Sequence, residues 1–166
     1  MADEQKPAQN IVEALNVDGQ QTAALMQLGF ALFQQGKLKE ARDIFEGLIV
    51  LNPLNPYAYS VLGSIHQREE RYEEAINCFT VTLKLAPEEV NTLTNRGEVL
   101  LKLGRLEEAA ADLRAAIELD PKAENPAANR ARMLAAFTFE ALSLAEAKGP
   151  EAVQAAAKRM NKQLEV

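Results

Sequence analysis

The stretch LMQLGFALFQQGKLKEARDIFEGLIVLNP, residues 25–53, decides the fold, because its punctuation recurs 34 residues later and again after another 34. The glycines mark the period most plainly: Gly29, Gly63 and Gly97. Around them run Leu25-x-x-Leu28-Gly29-x-x-Leu32, Tyr59-x-x-Leu62-Gly63-x-x-His66 and Leu93-x-x-Arg96-Gly97-x-x-Leu100. Ala41-x-x-x-Phe45, Ala75-x-x-x-Phe79 and Ala109-x-x-x-Leu113 follow, and Pro53, Pro87 and Pro121 close the units. Each unit predicts two helices, with Gly on the first and a small Ala on the second, so that two backbones approach closely while Leu and Phe fill the space between them. One such pair cannot bury its apolar face alone, so neighbouring pairs must stack.

This pattern is the tetratricopeptide signature, with aliphatic residues or Tyr where the consensus has Trp and Tyr. The resemblance implies an all-α fold: a three-repeat tetratricopeptide solenoid with a short N-terminal helix and C-terminal capping helices. Residues 1–18 read as a polar leader and a short helix carrying Ile11, Val12 and Leu15, too short to be stable alone. The repeats occupy 22–55, 56–89 and 90–123 within a 19–123 domain. Their helices are expected at about 20–35 and 38–51, 56–69 and 72–85, and 88–103 and 106–119. Gly36 and Gly104 supply left-handed caps between paired helices, but Glu70 stands at the same place in repeat two. If that position needs positive φ, Glu70 costs about 1 kcal/mol. Asn55-Pro56 and Asn125-Pro126 are helix starts. The second opens a capping helix, within 124–148, whose apolar positions are Ala131, Leu134, Ala135, Phe137, Ala141, Leu142 and Ala145. Gly149-Pro150 stops it, and 150–166 holds a last helix with Val153, Ala156, Met160 and Leu164 on one face.

The 166 residues suffice for a sizeable core. Against 18 Lys and Arg stand 24 Asp and Glu, a net charge of −6 that argues against nucleic acid, whose phosphates need a basic stripe. The lone Cys78 excludes an intramolecular disulfide and a cysteine zinc site, and points to a reducing compartment. The N-terminus lacks the basic and apolar regions of a secretory signal. No apolar run is long enough to insert into a membrane, and a cytoplasmic protein is expected.

Chemistry is sparse. His66, the single histidine, takes the place of Leu32 and Leu100 and reads as a packed, hydrogen-bonded core residue. No His or Cys cluster offers a metal site, no glycine-rich loop offers a phosphate site, and Cys78 has no second histidine to activate it. The expectation is a protein that is not an enzyme and carries no cofactor. Binding residues are more legible. Stacked helix pairs of this kind curve, with the first helix of each pair on the concave side. In repeat one Met26, Phe30 and Phe33 form a stripe there, offset from the packing stripe Leu25, Leu28 and Leu32. Repeat two offers Ser60, Ser64 and Gln67, with Tyr57 one turn earlier. Repeat three offers Thr94, Glu98 and Leu101, with Asn91 one turn earlier. The groove is therefore apolar at its N-terminal end and polar beyond, the mark of a binding surface. The bland alternative is that the short N-terminal helix covers Met26, Phe30 and Phe33. Tetratricopeptide co-chaperones of Hsp70 and Hsp90 grip an acidic C-terminus with a clamp of Lys, Asn and Arg. Met26, Phe30, Val61, Asn91 and Asn95 occupy the matching positions here, without a cation, which argues against that activity.

Beyond the repeat family, the chain resembles the class II chaperones of bacterial type III secretion. The likeness covers about residues 10–147 and is closest in residues 25–67, with an aromatic-rich first helix, a Gln-x-Gly-Lys turn at 34–37 and Leu62-Gly63 before Gln67. That resemblance implies a groove holding an extended apolar segment of a secreted, pore-forming translocator. Carried over by position, the pocket comprises Met26, Phe30 and Phe33, Leu38 at the turn, and Tyr57 and Ser60. A general scaffold or adaptor in another bacterial assembly is the competing reading. Self-association through the N-terminal or C-terminal helix is a further expectation.

Overall fold

The computed structural model describes residues 19–149. The expected helices near 9–17 and 150–163 lie outside them. The described residues form seven helices and no strand. They divide after Leu85 into two compact units.

The first unit holds α1 (Gly19–Gln34), α2 (Leu38–Leu51), α3 (Pro56–Arg68) and α4 (Tyr72–Leu85). Ala41, Phe45 and Leu48 of α2 and Ala58, Val61 and Ile65 of α3 form its buried centre. The glycines and the Phe positions meet where the paired helices approach. A Cβ on Gly29 would lie 2.9 Å from the Phe45 ring, and one on Gly63 only 2.5 Å from the Phe79 ring. Glycine thus makes room for the large residue of the partner helix, while Ala41 and Ala75 are buried beside it. Leu28 departs from its expected place in the packing stripe. It is 52% exposed, whereas its repeat-two equivalent Leu62 is buried. Leu62 sits on α3, which has α2 packed against it; α1 is the first of the described helices.

The second unit holds α5 (Val90–Lys102), α6 (Leu106–Glu118) and α7 (Pro126–Lys148). Gly97 repeats the device against Leu113, at 2.9 Å. Leu93, Leu100, Ala109, Leu113 and Ala116 are buried, as are Ala127, Ala128, Ala131 and Leu134 of α7, which packs on both α5 and α6. Arg96 and Asp112 join α5 to α6 through a two-pronged ion pair, both bonds 2.7 Å, with the carboxylate nearly buried.

The turns follow one plan. Gly36 and Gly104 have φ of +76° and +74°, and the amides of the turn residue and its successor close onto the helix carbonyls three and five residues back. Glu70 adopts φ +59°, and its turn makes the same two bonds, from the Glu70 amide to the Gln67 carbonyl and from the Arg71 amide to the His66 carbonyl. Asn55 accepts from the amides of Tyr57 and Ala58, and Asn125 from those of Ala127 and Ala128. The start of α5 is two residues later than expected. There Glu89 serves as the cap, accepting from the Thr92 amide.

Candidate functional site

Helical spacing puts Met26, Phe30 and Phe33 on one stripe of α1, and Tyr57, Ser60, Ser64, Gln67 and Arg68 on one stripe of α3. The structure brings the two stripes together. Met26 and Phe33 are partly buried against the first unit's core, as is Leu38 at the start of α2. Met26 Sδ accepts a long bond from Asn55 Nδ2, 3.9 Å away. Phe30 is the open member, 38% exposed, its ring centroid 6.2 Å from that of Phe33 with a 36° tilt. Tyr57 is exposed too, its ring meeting Phe45 edge-on at 6.1 Å. Burial raises the Tyr57 phenol's pKa, so it stays a neutral donor.

Sequence reading missed the residue that ties this face together. Arg68, last in α3, lies with its guanidinium carbon 4.0 Å from the Phe33 ring centroid and donates from Nη1 to the Phe33 carbonyl at 2.9 Å. The two residues are 35 apart, so no helical spacing links them; only the packing of α1 beside α3 does. Ser64 donates back to the Ser60 carbonyl at 3.1 Å, the turn-to-turn bond that small hydroxyls make within helices.

The candidates from repeat three belong to the second unit. Asn91 is exposed, its amide donating to Glu89 at 2.8 Å. Thr94 is corrected as a groove residue: it is fully buried, and its hydroxyl donates to the carbonyls of Val90 and Ala127. Thr94 fastens α7 to α5. Of the clamp positions, Val61 is buried, and Asn95 accepts from Arg130, a cation delivered by α7 that positional comparison could not reveal. Arg130 also lies 3.7 Å from Glu98.

The ionisable side chains offer little chemistry. His66 is buried as expected, but its Nδ1 makes no hydrogen bond, and lies 3.6 Å from Glu69 Oε2. Burial, aided by the Arg71 charge, holds its pKa below the ordinary histidine value against the pull of Glu69. Glu69 is itself taken up by Arg42 of α2, at 2.9 and 3.0 Å, and by Arg71. Burial pushes the Cys78 thiol up to about 11, so it is not a thiolate at neutral pH. Among the described residues, no group of three His, Cys, Asp or Glu could hold a metal ion. Nor is any described helix long and apolar enough to cross a membrane.

The geometry is that of a stacked helical-repeat protein, and the comparisons agree. Two tetratricopeptide repeat models match, one over residues 23–55 and one over 62–136, together well over half of the chain. The chain belongs to the tetratricopeptide repeat family. Its fold is similar to that of the Yersinia enterocolitica type III secretion chaperone SycD in complex with a peptide of the translocator YopD. The TM-score there is 0.68 at 26% identity, over 78% of this chain and 98% of that one. PcrH, known from Pseudomonas aeruginosa, in complex with the chaperone binding region of PopB gives 0.66 at 26% identity, covering 70% and 96%. The first tetratricopeptide domain of Spaghetti (RPAP3), bound to an HSP90 peptide, gives 0.69 at 26%, covering 76% and 97%. No protein of curated function matches. These neighbours are chaperones and protein-binding repeat domains rather than enzymes.

Proposed function

We propose that the protein is a cytoplasmic chaperone that holds an extended apolar segment of a secreted, translocator-type client against the α1 and α3 stripes. The observation that carries this reading is the open Phe30 ring beside Phe33, set on a frame similar to SycD with its YopD peptide. An extended chain suits such a face, because its side chains enter pockets while its backbone meets polar groups. Met26, Phe30, Phe33, Leu38 and Tyr57 supply the apolar part, and Ser60, Ser64 and Gln67 the polar part. The test is affinity co-purification from native lysate with wild type and a Phe30→Glu/Phe33→Glu variant of unchanged helicity. The reading expects one apolar, membrane-active protein to be retained by wild type and lost from the variant.

A scaffold or adaptor role is the second reading, favoured by Met133 and Phe139 of α7, which are 58% and 75% exposed. Under it, the same partners would come down with both proteins and would be lost on Phe139→Glu.

A further inference from the structure

We infer that the segment held at this face carries an acidic side chain beside its apolar anchor, and that Arg68 is the residue that reads it. The inference rests on the groove reading above and adds the chemistry of the client. In a chain with 24 acidic and 18 basic side chains, an arginine without a carboxylate stands out. Arg42, Arg71, Arg96, Arg105, Arg130 and Arg132 each lie within ion-pair distance of one. Neither Arg68 nor Arg114, exposed on α6, has one among the described residues, and of these two it is Arg68 that stacks on an aromatic ring of the candidate site.

Its setting is that of a receptor for a carboxylate. Stacking on Phe33 and the bond to the Phe33 carbonyl fix the plane of the guanidinium and use one of its five N–H donors. Arg68 is exposed, so the donors that remain can meet a partner in the planar, two-pronged geometry that guanidinium and carboxylate share. The net charge of −6 does not forbid an acidic client, since salt screens charges beyond about 8 Å and the local cation decides. Spacing follows from the rings. The Phe30 and Phe33 centroids are 6.2 Å apart, and the Arg68 guanidinium is stacked over the Phe33 ring, 4.0 Å from its centroid, so Phe30 and Arg68 are about one ring spacing apart. An extended chain rises about 3.3 Å per residue and returns to the same side every second residue, so the acid belongs about two residues from the apolar anchor.

Fluorescence anisotropy on the full chain tests this with short acetylated and amidated peptides holding one Leu and, two residues away, either Asp or Asn. Wild type is expected to bind the Asp peptide about fivefold more tightly, with the gap shrinking in about 0.5 M salt. Arg68→Gln should equalise the two peptides, and Arg68→Lys should keep part of the gap. A gap that persists in Arg68→Gln, or no gap in wild type while both peptides still depend on Phe30 and Phe33, overturns the inference and leaves the groove reading intact. Binding indifferent to Phe30→Glu/Phe33→Glu removes the groove reading itself. A third peptide, with a free C-terminus and no acidic side chain, tests the other source of a carboxylate. If that peptide alone gains from Arg68, the assignment to a side chain is overturned.

Discussion

Single residues show where the repeat is under strain and where it is not. Glu70 holds φ +59° at a position its neighbours give to glycine. Glu70→Gly should therefore stabilise the chain by about 1 kcal/mol, read as a shifted urea midpoint at constant slope. Gly63 is the opposite case, since a Cβ there would lie 2.5 Å from the Phe79 ring. Gly63→Ala should cost about 1–3 kcal/mol, and Phe79→Leu in the same chain should recover part of it by freeing space. His66 carries a pH signature. Its pKa is lowered in the fold by burial first and by Arg71 second, whereas in the unfolded chain it sits near 6.5. The unfolded state thus binds the extra proton as pH falls below about 6.5, so stability is complete above that value and declines below it, down to the folded pKa. His66→Leu, which restores the residue of the neighbouring repeats, should flatten urea midpoints between about pH 6.5 and 5, above the range where carboxylates titrate.

At the scale of helices and turns, most of the architecture was legible and the cross-helix partnerships were not. The period, the Asn-Pro starts and the glycine stops act on residues near in sequence, so α2 and α4 begin and end where the pattern says. Glu89 as a cap was missed because glutamate seldom takes that role. Arg68 on Phe33 and Thr94 under α7 were missed because each depends on a helix more than 30 residues away. Arg96 and Asp112, only 16 residues apart, were missed because nothing in the repeat pattern marks them: they occupy the sites of Leu62 and Cys78 in repeat two and of Leu28 and Ile44 in repeat one. Removing one partner leaves a charge beside a core, so Asp112→Ala should cost about 2–3 kcal/mol. The apolar exchange Arg96→Leu/Asp112→Ile should be close to neutral. Thermal unfolding of Arg96→Leu, Asp112→Ile and the double completes that cycle.

For the molecule as a whole, the repeat pattern carried the fold class and the candidate groove, while the identity of a client is written in no local pattern. Arg68 offers the first chemical clue to it. Net charge sets the working range. With a pI near 5.0, repulsion between copies vanishes at that pH, and light scattering should show least solubility there and none of this loss at pH 7.5. The intra-repeat pairing of Gly63 with Phe79 and of Arg96 with Asp112 has a genetic consequence. A recombination event that joins whole repeats carries each lock with its key, so gene duplication can lengthen the array. A crossover inside a repeat would set Arg96 against Cys78, or Asp112 against Leu62, and strand a charge in the interior. Repeat boundaries are therefore the places where this gene tolerates shuffling, and the interiors of repeats are inherited intact.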